Sequence, residues 1–399
     1  MRRTELYYSL LGLTTYRSLA GSGVWVYAQA LLGSLHEKNG EGAQADWGDL
    51  VAELRRDGFG TLGEWLSDQL LYCDDPWPRM CAAGKFDAAL DRAARRDVEV
   101  LSALAGLSCD DLRHDLRDLL PSEAAPAVDA LPDWTGEVPF TFQSLEKSYR
   151  LHGAGPFARY RAFIWRDGAL CPVAEPDIPG QTDLIGYRLQ RDQVVDNTRA
   201  MLCGRRVNNV LLYGDSGTGK SATVKSLLSL PDAEDLRLIE VEKESVMGIP
   251  ELIRSLAGAR QKFILFIDDL AFDQDDSSYG VLKTILEGGL DPRPANVAIY
   301  ATSNRRNLVR QTFSDRAGDE VDRDETIQEK TALADRFGLR IPYLGLTKAD
   351  FLALVDALAA QAGVHQGPEA LHAKAVIWDM RHPGRTPRTA RQFIASLAV

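Results

Sequence analysis

Gly214-Asp215-Ser216-Gly217-Thr218-Gly219-Lys220-Ser221 is the stretch that decides the fold of this chain. The eight residues complete a Walker A pattern, a glycine-rich phosphate-binding loop. The pattern carries weight only between a strand and a helix, and both flanks are there. Val210-Leu211-Leu212-Tyr213 reads as a buried strand, and Ala222-Thr223-Val224-Lys225-Ser226-Leu227-Leu228 reads as a helix. Glycines let the backbone curl so that successive N–H groups converge on a phosphate, aided by the positive end of the helix. In such a loop Lys220 reaches the β- and γ-phosphates and the Ser221 hydroxyl ligates Mg²⁺. The competing explanation is a glycine turn that happens to precede a helix.

About fifty residues on, Phe263-Ile264-Leu265-Phe266-Ile267-Asp268-Asp269 has the form of a Walker B strand. An unbroken apolar run suits a strand covered on both faces of a parallel sheet. Asp268, at its carboxyl end, is the expected Mg²⁺ ligand, and Asp269 the group that orients the attacking water. Alternatively both carboxylates cap the following turn. A further strand, Leu236–Val241, lies between the two motifs in the chain, which favours ATPases with an extra central strand over simple P-loop kinases. The next strand, Val297–Ala301, runs into Thr302-Ser303-Asn304. The Asn304 amide can hydrogen-bond a γ-phosphate or water, although asparagine also suits an ordinary turn.

From Gln181 onward strands and helices alternate, with candidate strands at 209–213, 237–241, 263–267, 297–301 and 339–343, and helices at 250–257 and 279–287. That alternation predicts a parallel sheet with helices on both faces, an α/β fold. The last fifty residues turn purely helical. Thr347-x-x-Asp350 is a capping signature, and Phe351, Leu352, Leu354, Val355 and Leu358 follow on one face. Residues 1–135 read as a mostly helical domain. Residues 136–180 form a hairpin-containing, proline-rich connector, with Asp167-Gly168 as its turn. Six of the seven tryptophans precede Gly180, so the first half is expected to have its own apolar core.

The 399 residues, 45% hydrophobic and 26% charged, describe a globular protein of two or three domains. A net charge of −11 argues against a basic nucleic-acid-binding surface over the whole chain. Five scattered cysteines without a C-x-x-C pair point to reduced, buried thiols and give no support to zinc or a disulfide scaffold. Arg17 interrupts the first apolar stretch and no run approaches a membrane span, so a cytoplasmic location with no membrane partner is expected. A small basic cluster, Arg305, Arg306 and Arg310, is the local candidate for nucleic-acid recognition, and a solvated helix face explains it equally well. The acidic stretch 315–335 reads as a solvated loop.

Taken together, the Walker A loop, the Asp-Asp Walker B strand, the asparagine strand tip and the C-terminal helices resemble an AAA+ ATPase with a helical lid. More narrowly, EVEKES…IPEL…KFILFIDDL…LKTILEGGL…RPANVAIYATSNRRNLV…LADRFGL…RTARQFI resembles a poorly characterised bacterial AAA+ family called domain of unknown function 815, over roughly 181–399. The resemblance implies ATP and Mg²⁺ as ligands and a homo-oligomer, commonly a ring, with sites between subunits. By position it implies that Asn304 is sensor 1, that Arg336 is an arginine finger reaching a neighbour's γ-phosphate, and that Arg388 is sensor 2. Arg391 is the competing choice for sensor 2, and a helix-end pair with Asp335 is the competing use of Arg336. Ile185-Gly186-Tyr187 occupies the place of an adenine-packing linker, or else is a turn leading into the core.

Two departures from the wider pattern stand out. Asp269 replaces the commoner glutamate, and Ser245-Val246-Met247-Gly248 lacks the aromatic of a threading pore loop. The expected function is an ATPase that remodels an unidentified protein or nucleic-acid partner. A nucleotide-dependent switch with little hydrolysis is the alternative. A small-molecule kinase is disfavoured by the intervening strand and the asparagine tip.

Overall fold

The computed structural model describes residues 2–134, 136–271, 278–287, 293–304, 333–382 and 384–397. The chain divides into two compact units, Met1–Arg159 and Tyr160–Val399. The basic cluster Arg305, Arg306 and Arg310 and nearly all of the acidic stretch 315–335 lie outside the described residues.

The first unit is helical. Its longest helices are Gly23–His36, Gly40–Arg56 and Ala88–Ala105. Asn39 caps the second of these and Asp87 the third, each side chain accepting backbone N–H groups of the first turn. Trp25, Trp47, Trp65, Trp77 and Trp134 are all buried in one core with Leu and Val residues from these faces. Phe142–His152 contributes Leu145 and Tyr149 to the same core. Residues 136–180 are therefore shared between the units, because the strands that follow belong to the second one.

The second unit is built on a seven-stranded sheet. In chain order the strands are β1 (Ala162–Arg166), β2 (Ala169–Val173), β3 (Val210–Gly214), β4 (Leu236–Val241), β5 (Lys262–Ile267), β6 (Val297–Ser303) and β7 (Leu339–Tyr343). Their spatial order is β2-β1-β4-β5-β6-β3-β7. Among the described residues only the β1–β2 hairpin is antiparallel. Its turn places Asp167 and Gly168 at φ +51° and +75°, the left-handed conformation that a two-residue hairpin turn demands. The hairpin extends the parallel sheet beyond β4 through β1, which pairs with β4 from Ala162↔Leu238 to Trp165↔Val241.

Alternate residues of β3, β5 and β6 face opposite ways, yet both sets are buried. Leu212, Ile264, Phe266, Ala298 and Tyr300 pack with Val194 and Met201 of helix Arg188–Leu202 and with Val224. Leu211, Phe263, Leu265, Ile267 and Ile299, on the other face, are also fully buried. This double burial accounts for the unbroken apolar runs. Three C-terminal helices, Lys348–Gln361, Pro368–Arg381 and Pro387–Leu397, close on Phe351, Val355, Leu371, Ala375 and Phe393. Sheet and terminal helices together give an α/β unit, a mostly parallel sheet covered by helices and followed by a C-terminal helical bundle. Among the described residues no helix is long and apolar enough to cross a membrane, and no group of three or more His, Cys, Asp or Glu is placed to hold a metal ion. The thiols divide: Cys73, Cys81 and Cys109 are buried as expected, whereas Cys171 and Cys203 are exposed.

Candidate functional site

Register decides which chemistry meets at the carboxyl end of the sheet. Tyr213 of β3 pairs with Ser303 of β6, and Ile267 of β5 pairs with Ala301. One residue further along each strand, the phosphate loop, Asp268 and Asn304 emerge side by side. In the chain β4 lies between the two Walker motifs. In space β6 lies between them, so the asparagine strand is the central one.

At the tip, Ser221 Oγ donates to Asp268 Oδ1 at 2.6 Å, and Thr302 Oγ1 donates to the same oxygen at 2.5 Å. The Asp269 N–H donates to Thr302 Oγ1 at 2.9 Å. Asn304 Nδ2 donates to Asp269 Oδ1 at 2.7 Å, and its Oδ1 accepts from Lys220 Nζ at 2.9 Å. The two acidic residues thus engage the phosphate-loop helix and β6. Asp269 holds φ +50°, a left-handed conformation that Asp tolerates better than most residues. Burial pulls the Lys220 ammonium below its ordinary pKa range, while Asp269, Asp215 and Asp268 pull it back up.

Ser216 to Ser221 line a cleft of about 700 Å³ with Asp268, Asp269, Thr302 and Asn304. Gly217 and Gly219 hold φ +77° and +93°, where a side chain would strain the backbone. Gly214 and Asp215 start the motif but are not among the described residues lining the cleft. Gly214 is needed for closeness: at φ +136°, an added Cβ would lie 2.2 Å from Tyr343 O. Asp215 turns toward the same strand end, its N–H donating to Tyr343 O at 2.9 Å and its Oδ2 accepting from Gly345 N at 2.6 Å.

Ile185, Gly186 and Tyr187 form another wall of the cleft. Tyr187 sits at φ +50°, stacks on Tyr343 with centroids 4.9 Å apart, and donates its hydroxyl to Leu344 O at 2.5 Å. Burial raises its phenol to about 12. Arg388 and Arg391 both face the cleft from the last helix. Arg391 Nη2 donates to Asp183 O at 2.5 Å, whereas the Arg388 backbone N–H donates to Gly217 O at 3.2 Å. Arg336 is not brought to this cleft. It is exposed and pairs with Glu287 at 2.7 Å, while its neighbour Asp335 pairs with Arg340.

Thr302 is a side chain of the cleft network that sequence reading passed over. Its signal was available, since it lies two residues before Asn304 on a strand and so shares that residue's face. The donor set fits a magnesium–nucleotide complex. Ser221 and Asp268 supply neighbouring hard oxygens of the kind Mg²⁺ takes alongside phosphates and water, and the glycine cradle has no Cβ to obstruct a phosphate.

The family described as "Protein of unknown function (DUF815)" matches residues 158–399, more than half of the chain. No curated protein matches it. Among solved structures, a variant of Thermotoga maritima RuvB has a TM-score of 0.39 at 17% identity, over 54% of this chain and 63% of that one. Another, titled Thermotoga maritima RuvB Holliday junction branch migration motor, has a TM-score of 0.38 at 17% identity over the same shares. The chain therefore spans less than two thirds of the length of those structures.

Proposed function

We propose that this chain, which belongs to the DUF815 family, is an AAA+ ATPase that binds Mg·ATP in the cleft and hydrolyses it between subunits of a homo-oligomer to remodel a protein or nucleic-acid partner. The observation that carries this reading is the continuous network Lys220–Asn304–Asp269–Thr302–Asp268–Ser221 at one end of the sheet. It joins a phosphate-binding cation, a pair of carboxylates and a polar strand tip at hydrogen-bonding distance.

In this reading the loop N–H groups and Lys220 bind the phosphates. Mg²⁺ held by Ser221 and Asp268 supplies neutralisation of the phosphate charge. Asp269 orients the attacking water, and Asn304 fixes the Asp269 carboxylate while facing the γ-phosphate. Arg388 is the lid residue best suited to sense phosphate, because Arg391 is already engaged with Asp183. Ile185, Gly186 and Tyr187 wall the base end of the cleft. Arg336, exposed and not among the residues lining its own cleft, is suited to act on a neighbour's.

The test is ATP hydrolysis by the purified chain with Mg²⁺, measured against protein concentration, with Lys220→Ala as control. Specific activity that climbs with concentration and vanishes in the control is the expected result. Tight ATP binding with no turnover at any concentration would replace the ATPase with a nucleotide-dependent switch.

A further inference from the structure

Asp215 occupies a variable position of the phosphate loop, yet its N–H and its carboxylate both bond one short segment. Its N–H donates to Tyr343 O, and its carboxylate accepts the Gly345 N–H. Tyr343 ends β7 and residues 344–347 connect it to the C-terminal helices, and two further residues hold this segment from other sides. Tyr187 donates to Leu344 O, and the Leu346 N–H donates to Arg385 O, just before the last helix. Gly345 suits this approach because an added Cβ would meet Asp215 Oδ2 at 3.1 Å.

The other end of Asp215 is tied to the phosphate-binding lysine. Lys220 Nζ donates to Gly214 O at 3.0 Å, Asp215 O at 2.7 Å and Asn304 Oδ1 at 2.9 Å. An ammonium has three donors, so these acceptors use all of them. A phosphate oxygen can be bound by Lys220 only in exchange for one of these, and two of the three belong to the peptide groups around Asp215. A change at Lys220 therefore pulls on a residue whose remaining polar groups grip the connector.

We propose that Asp215 is a positioning residue that couples phosphate binding at Lys220 to the orientation of the C-terminal helices, through its paired hydrogen bonds to Tyr343 and Gly345. This rests on the nucleotide reading of the cleft and adds to it the route by which occupancy reaches the lid. The carboxylate bond is charge-assisted, and such bonds are roughly twice as strong as neutral ones. A side chain that keeps an acceptor oxygen preserves the link, and one that lacks it severs the link.

The test is amide hydrogen exchange on the full chain, with and without saturating Mg·ATPγS, in the wild type and in Asp215→Ala, Asp215→Asn and Gly345→Ala. In the wild type the nucleotide slows exchange both over 210–222 and over 343–350 with 385–397. In Asp215→Ala the first region still responds, and the nucleotide-dependent difference in the second falls by about 5-fold or more. Gly345→Ala crowds the same bond from the opposite partner and weakens the response, and Asp215→Asn restores it. A purely structural Asp215 would lower protection of the second region equally with and without nucleotide, and that result overturns the proposal. So does an undiminished response in Asp215→Ala. Absence of any wild-type response over 210–222 instead overturns the nucleotide reading itself, and the coupling with it.

Discussion

At the scale of single residues, the site turns on one hydroxyl. Thr302 donates to Asp268 and accepts from the Asp269 N–H, so it ties the Asp268 carboxylate to the Asp269 backbone, the groups proposed to hold Mg²⁺ and to orient water. Thr302→Val keeps the shape of the side chain and removes both bonds. We expect nucleotide affinity to change little and kcat to fall by about 10²-fold, the cost of misplacing reacting groups by about an ångström. Thr302→Ser should recover most of the loss. Equal kcat values for the Val variant and the wild type would remove Thr302 from the site. The same scale shows why some of the site was legible and some was not. Lys220, Ser221 and Asp268 announce themselves because phosphate and Mg²⁺ chemistry admits few residue types at fixed spacing. Asp215 read as one more residue of the phosphate loop, because spacing cannot say which way a side chain points. Its partner Gly345 is 130 residues away in the chain.

At the scale of elements, apolar runs marked β3 to β6 to within two residues, since these strands are buried on both faces, whereas β7 buries Ile341 and Tyr343 on one face and exposes Arg340 and Pro342 on the other. Their spatial order was not legible. Nothing local to Leu236–Val241 says that it pairs with β1 on one side and β5 on the other, and nothing local to β6 says that it separates the Walker strands. In the helical unit the long helices were readable from their apolar stripes, but the tie between loop 14–15 and helix Ala88–Ala105 was not. There the fully buried Asp97 accepts four bonds at one oxygen, from the N–H and Oγ1 of Thr14 and of Thr15. Asp97→Ala leaves those donors without an acceptor. It should destabilise the unit by about 3 kcal/mol, read as a lower urea midpoint in tryptophan fluorescence, because five of the seven indoles lie in this unit. An unchanged midpoint would refute the anchoring role. A second expectation concerns β7 and the helix that follows Tyr187. Burial pushes the Tyr343 and Tyr187 phenols to about 12 from an ordinary 10.0. Above pH 10 the unfolded chain releases these protons while the fold retains them, so stability is fully present below pH 10 and declines as pH rises toward 12. Denaturation midpoints measured across that window should fall less steeply in Tyr343→Phe. Identical slopes would show that the phenol contributes nothing.

At the scale of the whole molecule, the question is whether one chain suffices for turnover. The cleft gathers Lys220, Asp268, Asp269, Asn304 and Arg388, but Arg336 stands outside it, paired with Glu287 on the surface. Exposed ion pairs contribute about 0–1 kcal/mol, so a neighbour's γ-phosphate would outcompete Glu287 at little cost. An arginine supplied this way is worth about 10³–10⁵ in rate in related phosphoryl transfers. Arg336→Ala should therefore bind ATP as the wild type does and lose about 10³-fold in turnover. Mixing decides whether the arginine acts across subunits. Arg336→Ala and Asp269→Ala chains are each inactive alone under this reading. Combined, they form some interfaces that pair an intact cleft with an intact arginine, so activity reappears. If the arginine acted within its own chain, every chain in the mixture would carry one defect, and no activity would return.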